Sequence, residues 1–126
     1  MVRELSTIQK NNKLNRVFST GNKGSGGAFH NYEVIHNTKD PAWTDKNYKL
    51  KIHFQEGARF APKSTSGVLD CDLLEIVRDR LTSFQAGEYA TKENGQALVH
   101  IEEALMWMNK RVEDRAERNV LGTYNK

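Results

Sequence analysis

Two amphipathic stretches in the second half constrain the fold more than any other feature of the chain. Leu73, Ile76, Val77, Leu81 and Phe84 recur at helical spacing, and Leu98, Ile101, Leu105, Met108 and Val112 repeat the pattern over a longer run. Only residues 85–90 separate the two runs, a connection short enough to force an antiparallel helical hairpin. Asp70 opens the first helix, where Asp72 and Glu75 have capping-box spacing, and Gly87 supplies a stop. Thr91 is expected to cap the second helix, which should run to about Asn119, ahead of Gly122.

The first half has the other periodicity. Residues 29–36 and 48–55 alternate in polarity and are rich in β-branched and aromatic side chains. In the second of these, Tyr48, Leu50, Ile52 and Phe54 share one face, and Lys49, Lys51 and His53 the other. Turn residues at 39–45 predict that the two pair antiparallel, and residues 16–20 add a short edge strand. So small a sheet cannot stand alone. The expected fold class is α+β, with a small N-terminal antiparallel β-sheet packed on a C-terminal antiparallel α-helical hairpin. One domain over residues 1–126 is expected, divided into a β-rich half (1–69) and the hairpin (70–126).

Composition narrows the function. The net charge of +3 among 126 residues suggests a nucleic-acid partner, but residues 1–69 hold 11 Lys/Arg against 5 Asp/Glu and residues 70–126 hold 8 against 11. With Cys71 alone, no internal disulfide or cysteine-rich zinc site can form. No apolar run approaches the roughly 18 residues of a membrane span, and residues 1–10 lack a signal-peptide core, so a cytoplasmic protein is expected. The glycine-rich segment 21–27 matches neither phosphate-loop pattern and precedes a strand, although its amides remain able to touch an anion. His30, His36, His53 and His100 lack metal-site spacing, and no nucleophile elbow or paired carboxylates suggest catalysis. Neither an enzyme, a metal nor a cofactor is expected.

The long helix is more informative. Its apolar stripe covers an arc of roughly 80°, with Glu102, Glu103, Glu113, Asp114 and Glu117 on the solvent side. Asn94 falls inside the arc and Arg115 at its margin, flanked by Arg111 and Arg118. Burying an amide or a guanidinium without partners costs several kcal/mol. The helix cap (for Asn94), Glu88 or Asp79, or an anionic ligand would supply those partners. Phe84, whose spacing continues the stripe of the first helix, reads by itself as core.

Several blocks resemble one phage family. They are Ile52-x-Phe54-Gln55-x-Gly57, Asp72-Leu73-Leu74, Asp79-Arg80-Leu81-x-x-Phe84-Gln85-x-Gly87, Asn94-x-x-Ala97-Leu98, Glu103-Ala104-Leu105-x-Trp107 and Arg111-x-x-x-Arg115-x-x-Arg118-x-Val120-x-Gly122-Thr123. The sequence is similar to the Thoeris anti-defence sponges, whose helical hairpin is shared with anti-CBASS sponges. The resemblance implies sequestration, without turnover, of a glycocyclic ADP-ribose signal that a TIR enzyme makes from NAD in the host bacterial cytoplasm. It implies that Phe84 stacks on adenine, that Asn94 bonds its edge, that Arg111 pairs with phosphate, and that Arg115 supports that arginine or the same phosphates. Lys23, His30 or the glycine loop would add N-terminal phosphate contacts. Arg59 and Lys92, the latter where an arginine is common, match positions for a second, cyclic-dinucleotide ligand. The resemblance further implies a homo-oligomer, dimer or hexamer, with Trp107 outside the hairpin stripe as a subunit contact or a cover for the sheet. It leaves no role for a membrane or a nucleic-acid polymer. Two alternatives stay open: a sponge mainly for CBASS cyclic di- or trinucleotides, and a small basic nucleic-acid-binding protein using the face around Lys49 and Lys51.

Overall fold

A computed structural model describes residues 1–37 and 48–126. The turn expected at 39–45 lies outside the described residues. The chain divides into two compact units, one of residues 1–57 with 63–67 and the other of residues 58–62 with 68–126.

The first unit is a four-stranded antiparallel meander: β1 (Val2–Glu4), β2 (Asn15–Thr20), β3 (Asn31–His36) and β4 (Lys49–His53), in the spatial order of the sequence. The register confirms the alternation read from the residues. Val17, Val34 and Leu50 form one cross-strand row, and Ser19, Tyr32 and Ile52 the next. Tyr32 meets Phe54 edge-on, with ring centroids 5.6 Å apart. Ser19 is fully buried, and its hydroxyl accepts a hydrogen bond from Arg3 Nε at 3.1 Å. That contact pins β1, a strand of three residues that is too short for an alternation to reveal.

The opposite face is less basic than its lysines suggest. Lys49 Nζ lies 3.4 Å from Glu33, and Glu33 stands opposite Lys51 in the register. His53 is drawn into the sheet, its Nδ1 2.6 Å from Asn31 Oδ1 and its Nε2 buried without a hydrogen bond among the described residues. Glu4 binds both Arg16 Nε and Nη2, at 2.9 and 3.0 Å, and holds that guanidinium above its ordinary basicity.

The second unit carries α1 (Asp70–Gln85) and α2 (Lys92–Glu117). Asp72 reaches back from the first turn of α1: its Oδ2 accepts the Leu69 N–H at 2.8 Å. It thus fills the reciprocal half of the expected box, and Glu75 is not part of the cap. Thr91 caps α2 as expected, its hydroxyl accepting the Asn94 N–H at 3.0 Å. Gln85 ties the connection from the other side, donating to Thr91 O at 2.9 Å and accepting the Thr91 N–H at 3.0 Å. A side chain at Gly95 would come within 3.2 Å of Gln85 Nε2, which gives that glycine a packing reason within the first turn of the helix.

The helices run antiparallel, and Arg78 Nε reaches Glu102 Oε2 across them at 2.9 Å. Glu102 therefore pairs across the hairpin instead of only facing solvent. The pair raises the Arg78 pKa, chiefly through the hydrogen bond. Within this unit the two stripes face each other, and coverage stays incomplete. Among the described residues no apolar side chain is fully buried, and Ile76, Val77, Phe84, Val99, Met106, Trp107 and Val112 are all exposed. Among the described residues no helix is long and apolar enough to cross a membrane.

Candidate functional site

The candidate residues of the hairpin fall into two groups. Phe84 closes the last turn of α1, while Lys92 and Asn94 open α2, so these three cluster at the hairpin tip. Phe84 remains 40% exposed, and the Arg80 guanidinium stands 5.4 Å from its ring centroid. Arg80 is not among the site residues expected from the sequence. Its signal was available, because residues four apart share one face of a helix. The main-chain N–H of Asn94 serves the cap, and its half-buried side-chain amide makes no hydrogen bond among the described residues.

The second group lies at the far end. Arg111 is exposed near the last turns of α2. Arg115 is 92% buried, and its Nη2 donates to Val120 O and Thr123 O, both at 3.0 Å. Its partners are turn carbonyls, and neither Glu88 nor Asp79 supplies them. Arg118 pairs with Asp114 at 3.1 Å and donates to the Lys126 carbonyl at 2.6 Å. Arg111 and Arg118 both face solvent, but Arg111 alone of the ridge makes no ion pair or hydrogen bond among the described residues. Arg59 belongs to the same unit and end: the Phe60 N–H donates to Gly122 O at 2.9 Å, and Arg59 Cβ lies beside Gly122.

Helical rise separates Asn94 from Arg111 by about 25 Å. A compact cyclic nucleotide cannot bridge that distance. One chain therefore does not bring Phe84 and Asn94 to Arg111, and it splits Lys92 from Arg59 in the same way. Toward the far end, the hairpin carries an open groove of about 610 Å³, lined by Leu105, Met108 and Val112 together with Glu75, Arg78 and Glu102.

In the sheet unit, the His30 ring lies beside Gly24, with Nε2 3.1 Å from Ser25 O. A methyl group on Gly24 would fall 2.5 Å from Glu56 Oε1, which places a carboxylate against this loop. Lys23 stands 6.0 Å from the Phe29 ring centroid, and Arg3 lies 4.6 Å from it. Lys23 and His30 thus flank one glycine-rich turn, but the acidic neighbour lowers its appeal to phosphate. Among the described residues no three His, Cys, Asp or Glu side chains gather as a metal site requires.

A capped two-helix hairpin with open apolar faces, and with its polar candidates divided between its ends, defines the class as a hairpin-domain protein. Residues 50–113 match the family described as Acb2/Tad1, hairpin domain, and the chain belongs to that family. A relative from Bacillus phage SBSphiJ7, named Thoeris anti-defense 1, is 41% identical over 75 residues, which cover 60% of this chain and 52% of the relative. The chain thus matches about half the length of that relative.

Proposed function

We propose that the protein is a phage anti-defence sponge that binds the glycocyclic ADP-ribose signal of Thoeris immunity and withholds it without degrading it. The observation that carries this reading is the family match over 50–113, within which Phe84, Asn94 and Arg111 all fall. The relative's name adds the Thoeris context. Phe84 stacks on the adenine, Asn94 reads its edge with an amide not used by the helix cap, and Arg111 meets the diphosphate. Arg80, already over the Phe84 ring, adds positive charge beside the stacked base.

The separation of the two residue groups makes the site a shared one. Two hairpins laid antiparallel bring the tip of one chain to the far end of the other, twice per dimer. The open groove and the exposed Ile76, Val77, Met106 and Trp107 supply the apolar surface that such a pairing covers. A second ligand, a cyclic di- or trinucleotide, is favoured by Arg59 and Lys92, which divide between the same two ends. The polymer-binding alternative loses support at the strand face, where Glu33 pairs with Lys49 and faces Lys51.

The direct test mixes the protein with purified glycocyclic ADP-ribose, measures free signal, then heats and deproteinises the mixture. Depletion followed by recovery of intact signal is expected. Recovery of a degraded nucleotide, or no depletion, would overturn the proposal.

A further inference from the structure

We infer that Arg115 is a positioning residue: its guanidinium locks the 120–123 turn into the shape that seats the 58–62 arm and fixes Arg59 at the far end of the hairpin. The path is short and continuous within one unit. Asn119, with φ of 57°, reverses the chain after α2, and the Val120 N–H returns to Arg115 O at 3.0 Å. The turn thereby folds back over the Arg115 side chain, the one guanidinium buried among the described residues. A single nitrogen, Nη2, bridges the carbonyls of Val120 and Thr123, and the Thr123 hydroxyl also donates to Val120 O, at 2.6 Å. Gly122 lies between the two bridged carbonyls.

Gly122 is where the turn meets the arm. Its φ of +77° belongs to the left-handed region, which glycine enters without strain. Its carbonyl accepts the Phe60 N–H, and its bare Cα lies against the Phe60 ring. A methyl group there would stand 2.7 Å from that ring and 3.4 Å from Arg59 Cβ. A planar guanidinium suits the clamp because it is always charged and offers donors in fixed directions, whereas a lysine ammonium presents a flexible point charge. Arg115 and the turn both lie beyond residue 113, where the family match ends.

What Arg59 does once placed rests on the second-ligand reading above; the clamp itself does not. The test is amide hydrogen exchange on the full-length protein, with calorimetry using cyclic di-AMP as probe. In Arg115→Lys, exchange at Phe60 should quicken about tenfold or more, while the central amides of α1 and α2 keep wild-type protection. Gly122→Ala should give the same signature with the arginine intact. Cyclic di-AMP affinity should fall by the same factor in Arg59→Ala and Arg115→Lys, and the double variant should be no weaker. Unchanged Phe60 protection in folded Arg115→Lys overturns the inference. Should that variant fail to fold, unchanged protection in Gly122→Ala does so instead. Failure of wild-type protein to bind cyclic di-AMP would remove the second-ligand reading and leave the exchange result to decide the clamp.

Discussion

Phe84 and Arg111 contribute different physics to the proposed site. A stacked base and a charge-assisted hydrogen bond are each worth on the order of 1–3 kcal/mol, so Phe84→Ala and Arg111→Ala should each weaken nucleotide binding by that amount in calorimetry. Arg80→Ala should weaken it by less, about 1 kcal/mol, because its guanidinium acts across an exposed ring. An Arg80→Ala effect as large as that of Arg111→Ala would show direct phosphate contact. The misfit of Arg115 was legible in the sequence, because a guanidinium at the edge of an apolar stripe demands partners. The partners themselves were not legible. They are backbone carbonyls of a turn, and any residue type presents those equally.

The hairpin was the most legible element, since long 3.6-residue periodicity leaves few alternatives and Thr91 is a strong start signal. Thr91→Ala should destabilise the fold by about 1 kcal/mol in thermal unfolding. Gly95 makes a sharper case. In an open helix a Gly→Ala change stabilises by roughly 1 kcal/mol. Here Gln85, held by two hydrogen bonds to Thr91, stands in the way of the new methyl group. Gly95→Ala alone should therefore bring no gain in melting temperature, whereas in a Gln85→Ala background it should stabilise. A gain in both backgrounds would show that the Gln85 amide moves aside freely. The strands were legible wherever they alternate over five or more residues. β1 was not, because its three residues owe their place to Arg3 and the buried Ser19.

The molecule as a whole joins two features that the sequence does not reveal: apolar stripes that the hairpin leaves partly exposed, and binding candidates placed too far apart for one chain to use. In the proposed dimer a second copy resolves both. Sedimentation should find a dimer or larger assembly at micromolar concentration, and a charged residue replacing Met106 should weaken it. The +3 net charge takes on a different meaning in this setting, because paired acidic groups thin out the strand face while the far end of the hairpin keeps Arg111 open.

Subunit mixing tests the shared site most directly. Phe84→Ala and Arg111→Ala chains, each deficient alone, are unfolded together and refolded, and binding of glycocyclic ADP-ribose is titrated. Each mixed pair carries one intact site and one doubly defective site, so the mixture should regain about one quarter of the wild-type site number at wild-type affinity. A mixture that binds no better than its parents would contradict a site built from two chains.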